Sequence, residues 1–126
     1  MALPKRHRLT QNRDFVAVRR LGQQASSSCL IVGIRPRTSE QVPLPCRFGI
    51  TVSQKVSKRA VIRNRLKRRI CGAIQSLLPR VGYSLDVVIV VRSPAVECDY
   101  EQLLQQLEKL LLKLEVLNGD PRRRLL

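Results

Sequence analysis

FGITVSQKVSKRAVIRNRLKRRIC, residues 48–71, is the stretch whose reading decides the architecture. Between Lys55 and Arg69 it carries eight of the chain's 24 Lys and Arg residues and no Asp or Glu. Ile62, Leu66, Ile70, Ala73, Ile74 and Leu77 recur at three- and four-residue spacing, one apolar stripe along an amphipathic helix. Ser57 is placed to cap that helix, its hydroxyl accepting an otherwise orphaned backbone N–H. The spacing therefore predicts a helix from Lys58 to about Leu78, ended by Pro79 and Gly82.

The same helix is poorly designed to stand alone. Arg59/Arg63, Arg63/Lys67 and Arg65/Arg69 are like-charge pairs four residues apart, each destabilising by about 0.2–0.5 kcal/mol. Lys58 and Arg59 sit at the positive end of the helix dipole, where cations are disfavoured. A polyanion relieves both penalties together. Projected at the helical angle, Lys58, Arg65, Arg68 and Arg69 gather opposite the apolar stripe. Asn64 lies between Lys67 and Arg68 and adds an amide that both donates and accepts, and Arg63 falls at the stripe's edge and must snorkel. A merely solvated basic face normally intersperses acids, and this one has none. The pattern points to nucleic acid.

Composition supports that direction. The 126 residues suffice for one domain with one core. A formal charge of +15 and a pI near 11.2 favour a polyanionic partner. The longest apolar run, around Val87–Val91, is far short of a membrane span. The opening MALPKRHR leads into no apolar segment of the kind a secretory signal needs, so the cytoplasm is the expected location. Cys29, Cys46, Cys71 and Cys98 are scattered without a C-x-x-C pair. They are expected to be reduced thiols packed as small apolar groups, not zinc ligands or a disulfide framework. Aromatics make up only 3% of the chain: Phe15, Phe48, Tyr83 and Tyr100. Binding is therefore expected to go through phosphates and shape more than through base stacking.

Taken in order, residues 1–8 read as a basic, flexible arm. Thr10 caps a helix reaching about Arg20, with Phe15, Val18 and Leu21 on its inner side and Gly22 as its stop. Residues 23–28 read as loop or an irregular first strand. Cys29–Ile34 and Arg47–Ser53 read as strands of one sheet, joined by a proline-rich surface loop over 35–45. Leu85–Val91 reads as a strand covered on both faces, with Asp86 capping backbone or pairing with a basic neighbour. Asp99 and Gln102 form a capping box for a last helix whose leucines 103, 104, 107, 110, 111 and 114 pack on the core, with Asn118-Gly119 as the stop. Residues 9–118 are thus one α+β domain, helix–strands–helix–strand–helix around one mixed β-sheet, and 119–126 a basic disordered tail.

Val52-Ser53-Gln54-Lys55-Val56-Ser57-Lys58, Ala60-Val61, Arg63-Asn64-Arg65 and Lys67-Arg68 together resemble the signature of the bacterial ribonuclease P protein subunit. Asp14-Phe15, Val18 and Gly22 are similar to that family's opening, and Leu85-Asp86-Val87-Val88 to its late strand. The resemblance covers most of the chain. It implies a left-handed β-α-β crossover through the basic helix, against the usual right-handed preference. It implies a role as subunit of the ribonucleoprotein that removes the 5′ leader of precursor tRNA, with the RNA as catalyst and magnesium ions bound mainly by that RNA. Partners on this reading are ribonuclease P RNA, one protein per RNA, and precursor tRNA, with no membrane. Lys55, Lys58, Arg59, Arg63, Asn64, Arg65, Lys67, Arg68 and Arg69 are implied contacts to the catalytic RNA. Phe15, Arg19, Val32 and Arg47 are implied to line a cleft for the leader. Three positions depart from the family pattern. Gln54 replaces a basic residue, Arg19 an aromatic, and Leu30–Ile34 has no aromatic, which shifts leader recognition from stacking towards charge.

Protein-based nuclease chemistry needs a carboxylate metal cage or a histidine acid–base pair. The one histidine, His7, lies in the basic arm, and Glu97, Asp99 and Glu101 read as charge at a helix N-terminus. No intrinsic catalytic residue is assigned. The alternative is a ribosomal or other structural RNA-binding protein, alike in composition but without effect on tRNA maturation.

Overall fold

The apolar stripe of the basic helix is buried as its spacing requires. In a computed structural model describing residues 3–37, 44–81 and 85–117, Leu66, Ile70, Ala73, Ile74 and Leu77 are buried in the main core and Ile62 is partly so. Three helices accompany four strands: α1 (Asn12–Leu21), β1 (Gln23–Ser26), β2 (Leu30–Pro36), β3 (Arg47–Thr51), α2 (Ala60–Leu77), β4 (Leu85–Val91) and α3 (Tyr100–Lys113). The sheet order is β1-β2-β4-β3. β1–β2 and β2–β4 are antiparallel and β3–β4 parallel, so the sheet is mixed and α2 is the crossover between its parallel pair. This is the expected α+β domain.

Strand alternation sorts the sheet into two faces. Leu30, Val32, Ile34, Phe48, Val87, Ile89 and Val91 point into the main core with α2 and α3. Val88 and Val90 point the other way, into a second, smaller cluster with Leu9, Phe15 and Val18 beneath α1. The layers are α1, sheet, then α2 with α3.

α1 grips the sheet through residues one helical turn apart. Asp14 pairs with Arg47 of β3 at 3.6 Å. The Phe15 ring lies over Gly49, where an added Cβ would meet it at 2.3 Å. Val18 packs on Gly33, and Gly22 meets the Ile34 carbonyl. Leu21, expected inside, is 71% exposed, because the helix turns it away from the side defined by Phe15 and Val18. Gln11, not Thr10, stands at the N-cap and offers no side-chain bond. Gly22 does close α1, its N–H donating to the Val18 carbonyl at 3.0 Å. Its φ of −88° is an ordinary extended value, so the glycine is required for close approach rather than for a left-handed turn.

Other boundaries also differ from the sequence reading. β1 is a regular strand paired with β2 from Gln23↔Ile34 to Ser26↔Ile31. α2 begins at Ala60, not Lys58. Ser57 Oγ accepts the Arg59 N–H at 3.2 Å, closing a turn before the helix. In the N-terminal stretch, Leu3, His7 and Leu9 contact the rest of the fold, while Pro4, Lys5, Arg6 and Arg8 are exposed. Leu3 is only 4% exposed, the Leu9 N–H donates to the Phe48 carbonyl at 2.9 Å, and His7 Nδ1 donates to the Cys46 carbonyl at 2.7 Å.

α3 opens with the expected capping box. Asp99 Oδ1 accepts the Gln102 N–H at 2.9 Å and Gln102 Oε1 accepts the Asp99 N–H at 3.0 Å. It closes earlier than expected, with Asn118-Gly119 outside the described residues, as does the basic tail. The Glu115 N–H donates to the Leu112 carbonyl and the Val116 N–H to the Leu111 carbonyl, the paired bonds of a Schellman motif. Glu115 takes the left-handed position at φ 62°, which usually falls to glycine. Glu115→Gly is therefore expected to stabilise the protein by about 0.5–1 kcal/mol, read as a higher urea midpoint at unchanged m-value.

Candidate nucleic-acid interface

Two surfaces converge at the junction of α1, β3 and α2. The first is the basic face. Lys55, Lys58, Arg59, Asn64, Arg65, Lys67 and Arg68 are all exposed, and none belongs to an ion pair found among the described residues. Lys55 and Lys58 stand in the turns before α2, Arg59 at its N-cap, and the other four on its outward face. No Asp or Glu occurs anywhere between Glu40 and Asp86, so nothing local neutralises the face. The first turn of α2 has neither an acidic residue nor a side-chain cap, which leaves its leading N–H groups open to an anion.

Arg63 and Arg69 behave differently from the other seven. Both are half-buried. Arg63 Nη1 donates to the Ser57 carbonyl at 2.9 Å and Arg69 Nη1 to the Cys98 carbonyl at 2.7 Å. One hydrogen bond uses a fraction of a guanidinium's five donors. Each arginine thus braces α2, to the preceding turn or to the 3-10 turn Ser93–Glu97 ahead of α3, and keeps donors facing outward.

The second surface is a groove between α1 and the sheet. Its larger part, about 490 Å³, is lined by Asn12, Phe15, Val16, Arg19, Arg20, Gln24, Thr51 and Val88. A continuation of about 330 Å³ shares Asn12, Phe15 and Thr51 and adds Thr10, Ile50, Val52 and Lys67. The groove therefore runs from two α1 arginines, past one aromatic ring, to a lysine of the basic helix. Of the four residues expected at a cleft, Phe15 and Arg19 line this groove.

Val32 and Arg47 do not line it. Val32 is 0% exposed and packs under α2 and α3, on the strand face opposite Gly33, which meets Val18 of α1. Arg47 is spent on carboxylates. Its Nε and Nη2 each donate to Asp86 at 2.8 Å, and Asp14 stands 3.6 Å away. The hydrogen bond to Asp86 raises the Arg47 pKa further above its ordinary value. Arg37 adds a second cation 3.6 Å from Asp86. The late-strand aspartate thus pairs with basic neighbours, and the cluster pins α1 and β3 to β4. Thr51, Gln24, Arg20 and Asn12 were missed as groove residues. Thr51 was findable, since it shares the alternation of Arg47 and Gly49.

Among the described residues no group of three or more His, Cys, Asp or Glu is placed to hold a metal ion, and no helix is long and apolar enough to cross a membrane. The two carboxylates nearest the groove, Asp14 and Asp86, already face guanidiniums and do not fit a magnesium cage.

Known proteins share this fold and much of this sequence. The family model for ribonuclease P matches residues 3–115. The ribonuclease P protein component of Rippkaea orientalis is 47% identical over 125 residues, covering 97% of each chain. That of a Cyanothece species is 44% identical over 129 residues, covering 93% of this chain and 98% of its own. Among solved structures, the Staphylococcus aureus RNase P protein superimposes with a TM-score of 0.77 at 26% identity, covering 90% of this chain and 100% of that one. With its family signature spanning sheet, basic helix and groove alike, this chain belongs to the ribonuclease P protein component family.

Proposed function

We propose that the protein is the RNA-binding subunit of ribonuclease P, seating α2 on the catalytic RNA while the α1–sheet groove receives the 5′ leader of precursor tRNA. The observation that carries this reading is the set of seven exposed polar residues from Lys55 to Arg68, six cationic and one an amide, without a carboxylate partner among the described residues, at the mouth of a groove that ends on Lys67. Arg65 and Arg68 offer planar forks suited to phosphate, and the uncapped start of α2 favours anions. In the groove, Arg19 and Arg20 supply charge and Phe15 one stacking surface, enough for sequence-tolerant contact with a single strand. The RNA remains the catalyst and holds the magnesium ions. The protein neutralises converging phosphates, which lowers the magnesium needed to bring leader and catalytic RNA together. The setting is the cytoplasm, with one protein per RNA.

The test is cleavage of a precursor tRNA by its cognate catalytic RNA at low magnesium, with and without the protein. A rise of about tenfold or more in correctly processed product is expected with protein present. Tight, salt-sensitive RNA binding without that rise leaves a structural RNA-binding protein and overturns the reading.

A further inference from the structure

Two thiols that the sequence separates widely meet at the seam between β2 and α3. Cys29 directly precedes β2, and Cys98 directly precedes the α3 N-cap Asp99. Their Sγ atoms lie 3.2 Å apart across 69 residues of sequence. Both are free thiols, just beneath the surface, Cys29 at 3% and Cys98 at 9% exposure, and their neighbours Ser28 and Glu97 are exposed.

The surroundings treat the two sulfurs unequally. Gln106 Nε2 donates to Cys29 Sγ at 3.3 Å, and the amide's orientation is set by Ser27 Oγ, which donates to Gln106 Oε1 at 2.6 Å. Ser28 Oγ lies 3.7 Å from the same sulfur. Burial pushes the Cys29 thiol up, but hydrogen bonds from Cys98, Ser28 and Gln106 and the charge of Arg92 outweigh it and leave the thiol below its ordinary value. Burial, followed by the hydrogen bond and charge of Cys29, pushes Cys98 up to about 11. Of the two thiols, Cys29 therefore gives up its proton the more readily, and Cys98 keeps its own. Burial also raises Cys71, and raises Cys46 to about 12, so those two stay protonated and unreactive.

We infer that Cys29 and Cys98 form a dithiol that a peroxide oxidises to an intramolecular disulfide, a reversible modification site joining the start of β2 to the start of α3. The Cys29 thiolate attacks one peroxide oxygen and breaks the O–O bond, giving a sulfenic acid and hydroxide, which leaves as water on protonation. Cys98 sulfur then attacks Cys29 sulfur. The S–O bond breaks, and the departing hydroxide takes the Cys98 proton as a second water. Two thiols lose two electrons and the peroxide gains them. A small-molecule dithiol reverses the step by exchange. The sulfurs must close by roughly 1 Å, and both residues sit just outside regular elements, where such a shift costs little.

Treating the full chain with equimolar hydrogen peroxide, then alkylating under denaturing conditions and mapping peptides without reductant, tests the assignment. Expected are a loss of two hydrogens, a Cys29–Cys98 linked peptide, and alkylated Cys46 and Cys71. The midpoint temperature should rise by roughly 10 °C, since the cross-link closes a long loop, and return on adding dithiothreitol. Cys98→Ser should halt the reaction at a Cys29 sulfenic acid trapped by dimedone. Alkylation of all four cysteines, or links through Cys46 or Cys71 instead, overturns it, and neither result depends on a variant folding.

Discussion

Gly22→Ala is expected to lower stability by about 3 kcal/mol, the upper end of ordinary overpacking, whereas Gly72→Ala stays within about 1 kcal/mol of the parent. At Gly22 an added Cβ would stand 2.1 Å from the Ile34 carbonyl oxygen and 2.6 Å from that of Val18. Neither atom can rotate aside. Ile34 is fixed between Gln23 of β1 and Val87 of β4, and the Val18 carbonyl accepts the Gly22 N–H itself. The end of α1 must lift from the sheet, loosening Val18 over Gly33 and with it the wall of the groove. At Gly72, inside α2, the nearest atom is Tyr100 Cε1 at 3.2 Å, one edge of a side chain that can give slightly. There the penalty is set against the helical preference of alanine. Urea unfolding of both variants reads the difference, which corresponds to roughly 10 °C in midpoint temperature for Gly22→Ala. Near-neutral behaviour of Gly22→Ala would mean that α1 slides freely on the sheet and that Gly22 does not set the groove.

That glycine also illustrates what a sequence can say about this fold. Local chemistry was readable. The stripe of α2 needs only the helical period, and the Asp99–Gln102 box only a three-residue spacing. An aspartate in an otherwise apolar β4 needs either backbone to cap or a basic neighbour, and the structure supplies the second in Arg47. What resisted reading depends on atoms distant in sequence. Gly22 resembled a helix stop because its true constraint, the Ile34 carbonyl, arrives only when β2 pairs with β1. Val32 is implied for the cleft by the resemblance alone, and only the pairing of β2 with its neighbours turns it to the α2–α3 face. Arg47 has the side chain of an RNA contact, and only the folded positions of Asp14 and Asp86 show its Nε and Nη2 committed to carboxylates. Cys29 and Cys98 looked unrelated for the same reason. The basic residues of α2 were legible in the opposite sense: the long absence of acids is itself local, and among the described residues folding brings none of the exposed ones into an ion pair.

The seven exposed polar residues from Lys55 to Arg68 make a quantitative claim about salt. With roughly 6–8 phosphates neutralised, log Kd for the catalytic RNA should rise with log salt at a slope of about 4–7. Arg65→Ala/Arg68→Ala removes two forks from the exposed face of α2 without disturbing the buried stripe, since neither side chain packs in the core. Each charge-assisted contact to phosphate contributes about 1.5 kcal/mol or more, so the double variant should bind about 100-fold more weakly at low salt. Its slope should fall by about 1.5–2, one counterion-release step for each lost contact. Lys109→Ala/Lys113→Ala is the matched control. It removes the same formal charge from exposed positions of α3, a helix that also carries Glu101 and Glu108. If binding depends on the placement of charge along α2, the control keeps the parental slope. If both variants flatten the slope equally, the chain's overall charge of +15 drives binding, and the α2 face is not the interface. Filter binding across a salt series separates the two, because a net-charge effect is blind to position and a phosphate contact is not.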